Sequence, residues 1–149
     1  MLGWLKGNAV AARDKLTAEV GKFKNAKFME ATTASCAIVA AADGEISASE
    51  KQKMIGFINI SPELKVFDMA DVIKSFTAHC EKFEFDHQLG QAEALKVIGK
   101  IKNDPGASRI LVRVACSIGA SDGTFDDKEK AACRLICAEL GLNPADFDL

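Results

Sequence analysis

Two short stretches carry carboxylates at a spacing suited to coordinating a cation: Asp43-Gly-Glu-Ile46-Ser47-Ala-Ser-Glu50 and Asp122-Gly-Thr-Phe125-Asp126-Asp127-Lys-Glu129. Asp-Gly-x-(Ile/Phe)-x-x-x-Glu is the back half of a calcium-binding EF-hand loop, in which the glycine makes the turn and the last glutamate binds bidentately. The front half is absent. The loop's first and third ligand positions fall on Val39 and Ala41 in one stretch and on Ile118 and Ala120 in the other, and these side chains hold no hard cation. The candidate metal ligands are therefore Asp43, Glu50, Asp122, Asp126 and Glu129. A calcium-like divalent ion takes about six to eight oxygens and one turn offers about two or three, so the site expected here is weak. Two routes complete it: approach of the two turns, or water filling the shell around a second turn enriched by Asp126 and Asp127.

The elements that must position these groups are helices. In both stretches an alanine-rich helix runs into Asp-Gly, where glycine enters a left-handed conformation without a Cβ penalty. A new helix starts three residues later. Ser47 and Asp126 are its N-caps, with Glu50 and Glu129 at the third helical position, the reciprocal pattern of a capping box. Ile46 and Phe125 sit between stop and start as core plugs. Capping thus explains most of the pattern but does not require the carboxylates of Asp43 and Asp122. The two turns lie 79 positions apart, which suggests two related helical hairpins with helices inserted between them.

Elsewhere the 3.6-residue period and cap signals place further helices. Val10 to Phe23 is amphipathic and basic, with Trp4 and Leu5 extending its apolar face. Lys27 to Ala42 is apolar almost all round and reads as a buried central helix. Ala48 to Ile58 carries Met54, Ile55 and Ile58 on one stripe, and Ser61-Pro62-Glu63 opens a short helix with serine as its cap. Asp68 caps a helix to Lys82, and Asp86 begins another to Lys102 whose stripe includes Leu89, Leu95, Ile98 and Ile101. Asn103-Asp104-Pro105 opens the second buried helix, to Ser121. The next runs from Asp127 to Leu140 and stops at Gly141, and Asn143-Pro144 caps a closing turn through Phe147. This is an all-α domain over residues 1–149, a bundle of seven to eight helices, long enough to bury roughly two-thirds of its unfolded surface. Scarce aromatics, no tyrosine and only three prolines agree with helix rather than sheet.

Charge narrows the function classes. A net charge of -2 and a pI near 5.7 argue against a nucleic-acid binder. Residues 1–28 nevertheless carry +4 and the remainder -6. Lys15, Lys22, Lys24 and Lys27 form a basic surface suited to a partner or an anionic membrane, with a helix docked on the bundle as the plainer alternative. The longest uncharged run, Ala31 to Ala42, is too short to span a bilayer, and no secretory signal precedes it. Five cysteines without a C-x-x-C read as reduced thiols, which places the chain in the cytoplasm.

The segments Lys24-Asn-x-Lys27-Phe28-Met29, Ser49-Glu-Lys-Gln-Lys-Met54-Ile-Gly-Phe57, Glu63-Leu-Lys-Val-Phe67 and Ser121-Asp-Gly-x-Phe-Asp-Asp127 resemble the TerB tellurite resistance proteins of bacteria. The resemblance extends over almost the whole chain, to Asn143-Pro-Ala-Asp-Phe147. It implies an all-helical cytoplasmic protein of the tellurium and general stress resistance system. It also implies an adaptor working with other Ter proteins, including the integral membrane partner TerC, and so associated peripherally with the inner membrane. The family's acidic turn residues map onto Asp43, Glu50, Asp122 and Glu129. Ser47 and Ala48 stand where the second copy has Asp126 and Asp127, which puts an equal role for the two copies in doubt. No catalysed reaction is implied.

No enzyme constellation appears in the residues themselves. His79 and His87 flank Cys80 and Glu84 without the spacing of a closed zinc site and read as surface or capping residues. The glycines are scattered, and none forms a phosphate-cradling loop. Cys133 and Cys137, one helical turn apart, read as core fillers. The sequence thus supports a non-enzymatic, metal-binding adaptor. The alternative is a thiol-dependent redox or tellurium-binding protein, which requires exposed cysteines of lowered pKa. A third reading is a purely structural scaffold.

Overall fold

Helix caps set the boundaries of the bundle. The computed structural model describes residues 9–121, 123 and 125–149, which form seven α-helices and two short 3-10 turns with no strand among them. The helices are α1 (Ala9–Gly21), α2 (Ala26–Ala40), α3 (Ala48–Ile60), α4 (Met69–Phe85), α5 (His87–Gly99), α6 (Pro105–Gly119) and α7 (Asp127–Leu140), and the 3-10 turns are Pro62–Leu64 and Pro144–Phe147. Asp68, Asp86, Asp104 and Asn143 each accept a backbone N–H of the first turn they cap, at 2.9 to 3.1 Å. Each satisfies a donor that the helix cannot. Asn25 does the same for α2, accepting from the Phe28 N–H at 2.9 Å. Trp4, Leu5, Asp122 and the side chain of Val10 lie outside what the structure describes.

The core forms around α2, which packs against α4, α5 and α6 and also touches α3 and α7. Every residue from Ala31 to Val39 is buried. Its polar members remain satisfied. Thr32 and Ser35 donate to carbonyls one turn back, at 2.8 and 2.9 Å, and the Thr33 hydroxyl meets that of Ser75 on α4 at 2.6 Å. Small side chains allow close approach, as where α5 meets the end of α4. A Cβ on Gly90 would lie 2.6 Å from the backbone N and Cα of Phe83. Leu89 is therefore turned outward and is exposed, contrary to the expected stripe, and Gly90 and Ala94 take the inward positions.

One other expectation needs correction. Ser61 does not cap the short turn after it: its hydroxyl donates back to the Phe57 carbonyl at 2.6 Å, and proline at the first position starts the turn without a side-chain cap. Glu63, in that same turn, is fully buried. Arg13 of α1 donates to both its carboxylate oxygens, at 2.9 and 3.2 Å, and Ser117 of α6 donates to it at 3.0 Å. A fully buried carboxylate needs this enclosure of donors. With Leu16 and Val20, which are also buried, this clamp docks α1 on the bundle.

Candidate metal site at the two helix corners

The corners after α2 and α6 fold by the same hydrogen bonds. The Ala41 N–H donates to Ala37 and the Gly44 N–H to Ala41, and in the second corner Ala120 donates to Cys116 and Gly123 to Ala120, all at 2.9 to 3.1 Å. Gly44 and Gly123 have φ of 103° and 83°, the left-handed region expected of them. Ile46 and Phe125 are half-buried against the core. Gly119 explains why the two corners meet. A Cβ there would lie 2.9 Å from the Phe125 ring and 3.5 Å from Val39 of α2, so its absence lets the ends of α6 and α2 converge.

Asp43, Glu50, Asp126 and Glu129 consequently line one cleft of about 140 Å³, together with Lys128. The cleft is not a preformed metal cage: among the described residues no three His, Cys, Asp or Glu side chains converge tightly enough to hold an ion. The two corners also differ. Asp126 accepts from the Glu129 N–H at 2.8 Å and Glu129 accepts from the Asp126 N–H at 3.1 Å, a complete capping box. In the first corner Ser47 accepts from the Glu50 N–H at 3.1 Å, but no return bond from Glu50 accompanies it. The Glu50 carboxyl meets that of Asp43 instead. Burial, and then the charge and hydrogen bond of Asp43, push its pKa above the usual carboxylate value. Asp43 also closes its own turn, accepting from the Glu45 N–H at 3.4 Å. The first corner thus holds two carboxyl groups in mutual repulsion, which a cation or a shared proton relieves.

The basic residues expected to face outward do so. Lys15, Lys22, Lys24 and Lys27 are all exposed, with Lys22 paired to Glu19 at 3.0 Å, while α1 buries Leu16 and Val20. No described helix is long and apolar enough to cross a membrane.

The thiols are differently placed from what reactivity demands. All five cysteines are buried. Burial raises Cys36 and Cys80 to about 12 and Cys137 to about 11, and a hydrogen bond with Cys116, reinforced by burial, raises Cys133 as well. Cys133 and Cys137 are the core fillers that their spacing suggested. His79 is buried rather than at the surface, because it shares the inward face of α4 with Val72, Phe76, Cys80 and Phe83. Burial and then Lys82 lower its pKa, and its Nδ1 finds no partner among the described residues. His87 begins α5, half-buried, with its ring edge-on to Phe83 at 5.3 Å.

Sequence reasoning missed Glu63. An isolated acid in a three-residue turn carries no burial signal, and its partners lie 50 and 54 positions away.

The sequence profile of the family described as Tellurite resistance protein TerB matches residues 29–149. A "Tellurium resistance protein TerB" of Alcaligenes sp is 46% identical over 110 residues, which is 74% of this chain and 90% of that protein. No solved structure matches.

Proposed function

We propose that this chain, which belongs to the TerB family of tellurite resistance proteins, serves tellurite and stress resistance as a non-enzymatic adaptor whose corner cleft binds a divalent cation weakly. The observation carrying this reading is the cleft that gathers Asp43, Glu50, Asp126 and Glu129 from two distant corners. Glu50 and Asp43 would hold the ion from one side and Asp126 and Glu129 from the other, with water supplying the remaining oxygens. Bound there, a hard cation would neutralise the carboxylate repulsion and tie the start of α3 to the start of α7. Lys128 in the same cleft opposes binding, and with no converging triad among the described residues affinity is low.

The adaptor part of the reading rests on charge. An exposed basic surface at Lys15, Lys22, Lys24 and Lys27 and an acidic cleft give two faces of opposite sign for protein partners. The partners proposed are other Ter proteins, including membrane-embedded TerC, met from the cytoplasmic side of the inner membrane. A thiol-based role fits poorly with five buried cysteines.

Calcium, magnesium, manganese and zinc titrated into the full chain, followed by calorimetry and amide chemical shifts, test the cation site. Saturation is expected at about 10⁻⁴ to 10⁻³ M, the range of weak calcium modules. Shifts should be confined to residues 43–50 and 122–129 and should be lost in Asp43→Asn with Asp126→Asn, since asparagine keeps turn and cap chemistry. Absence of any saturable shift up to millimolar metal removes the cation from the function.

A further inference from the structure

A second cleft, of about 150 Å³, opens beside the corner cleft. It lies where the chain just past α2, the start of α5 and one side of α7 come together, and they meet there through alanine: Ala41, Ala42, Ala131 and Ala132 are too short to fill the space between them. Ile38 completes an apolar floor. The volume is below the roughly 300 Å³ at which small-molecule sites begin, and suits one large apolar side chain. Ala42 and Lys128 line both clefts, so the two adjoin.

Its surroundings are apolar and acidic at once. Among the described residues four large apolar side chains are exposed, Ile60, Phe85, Leu89 and Leu135. Three of them gather at the start of α5: Leu135 lines the cleft together with His87, and Phe85 and Leu89 stand two residues to either side of His87. Apolar groups exposed in one place mark an interaction surface. The charge beside them is negative. Asp43, Glu50, Asp126 and Glu129 line the adjoining corner, opposed by Lys128 there and by Lys53 near Glu50. Glu81 and Asp86, both exposed, lie on either side of Phe85 in the chain, while the two lysines nearest them are engaged, Lys51 with Glu84 at 2.7 Å and Lys82 with Glu93 at 3.8 Å.

We infer that the two clefts together dock a segment of a partner protein in which a large apolar side chain stands beside a lysine or arginine, the apolar group entering between Ala41 and Ala132 and the cation meeting Asp43 and Asp126. The site presupposes the adaptor role proposed above and defines the chemistry of the partner. A neutral apolar segment would leave the carboxylates unmatched. Nucleic acid or an anionic membrane would be repelled by them. A segment both basic and apolar satisfies both clefts. A metal ion and the partner's cation would compete for the same carboxylates, so the test is run in EDTA.

The probe is a short synthetic amphipathic helix of leucine and lysine, titrated into the full chain and followed by calorimetry and amide shifts. Saturable shifts are expected at residues 38–43, 87–91 and 126–135. Ala131→Phe, which fills the cleft from an exposed position, should abolish binding without lowering the melting temperature. Leu135→Ser should weaken it about fivefold, and Asp43→Asn with Asp126→Asn about fivefold, whereas Lys128→Gln should tighten it about threefold and Ile60→Ser should leave it unchanged. Equal binding of the same helix with glutamate for lysine overturns the basic class, and equal binding with serine for leucine overturns the apolar anchor. Undiminished binding to Ala131→Phe, or shifts confined to other residues, overturns the location and leaves the adaptor role standing; no saturable shift anywhere removes both. The same shifts on adding anionic phosphatidylglycerol vesicles, or on concentrating the protein alone, assign the face to a membrane or to a second copy and overturn the proposal.

Discussion

Arg13→Ala removes two hydrogen bonds to a carboxylate with no exposed surface. Removing one partner of a buried ion pair costs about 3 to 5 kcal/mol, because the remaining charge is left in a poorly solvating site. Two features place this case at the lower end. The Arg13 side chain is 30% exposed, and Ser117 continues to donate at 3.0 Å. The expected loss is about 3 kcal/mol. For a chain of this length each kcal/mol moves the melting temperature by about 2 to 4 °C, so a drop of about 6 to 12 °C follows. Urea denaturation at neutral pH is the assay, with hydrogen exchange on α1 to show that the damage begins there. Arg13→Met combined with Glu63→Leu, which removes both charges and keeps the bulk, should lie within about 1 kcal/mol of the parent. A loss below about 1 kcal/mol for Arg13→Ala alone, with the slope of the transition unchanged, would refute the claim that a buried charge pair anchors α1.

Gly90→Ala drives a methyl group to within 2.6 Å of the Phe83 backbone and should cost about 1 to 3 kcal/mol, while Gly56→Ala, with nothing within 4 Å, should gain about 0.5 to 1 kcal/mol; thermal melts compare the two. The pKa of Glu50 is raised on folding, so the folded state holds its proton more tightly and stability falls as pH rises from the ordinary value of 4.5 through the raised one. Asp43→Asn should therefore be stabilising at neutral pH and lose that advantage as pH falls through the raised Glu50 value, where protonation of Glu50 removes the repulsion; denaturation profiles that keep a constant offset between about pH 3 and 7 would contradict this. Burial of all five thiols, with a raised pKa at Cys36, Cys80, Cys133 and Cys137, makes them inert, so a water-soluble maleimide at pH 8 should label none of them in the native protein and all of them in denaturant, as mass spectrometry would show. Fast native labelling of any cysteine would reopen the redox reading.

The helices were largely legible because their signals are local. Ser47, Asp68, Asp86, Asp104, Asp126 and Asn143 each sit next to the turn they cap, and each caps it in the structure. Asn25 is equally local, but the helix expected from Lys27 begins at Ala26, which makes Asn25 its cap. The carboxylates of the corner cleft were legible as residues, whereas their convergence depends on Gly119, whose missing side chain matters only once α2 and α6 are side by side. The same limit hid Glu63, and it hid the apolar cleft beside the corner, since neither Ala41 nor Leu135 signals in isolation that the other will line the same space. Leu89 misleads through periodicity: Ile98 and Ile101 of the expected stripe are buried, but at its start the Phe83 contact demands glycine at position 90 and leaves Leu89 outside.

The Arg13–Glu63–Ser117 clamp also dictates an order of assembly. Arg13 is made early, Glu63 follows 50 residues later and Ser117 a further 54. At ribosomal rates of about 5 to 20 residues per second, the first helix waits about 5 to 20 s for its seat to be synthesised. During that interval the amphipathic segment bearing Arg13, Lys15 and, just past the helix, Lys22 is available to any acidic or lipid surface near the exit tunnel. Completion of α6 ends that competition by withdrawing Arg13 to an interior carboxylate. Slowing translation between codons 63 and 117 lengthens the exposure without altering a single residue of the finished protein.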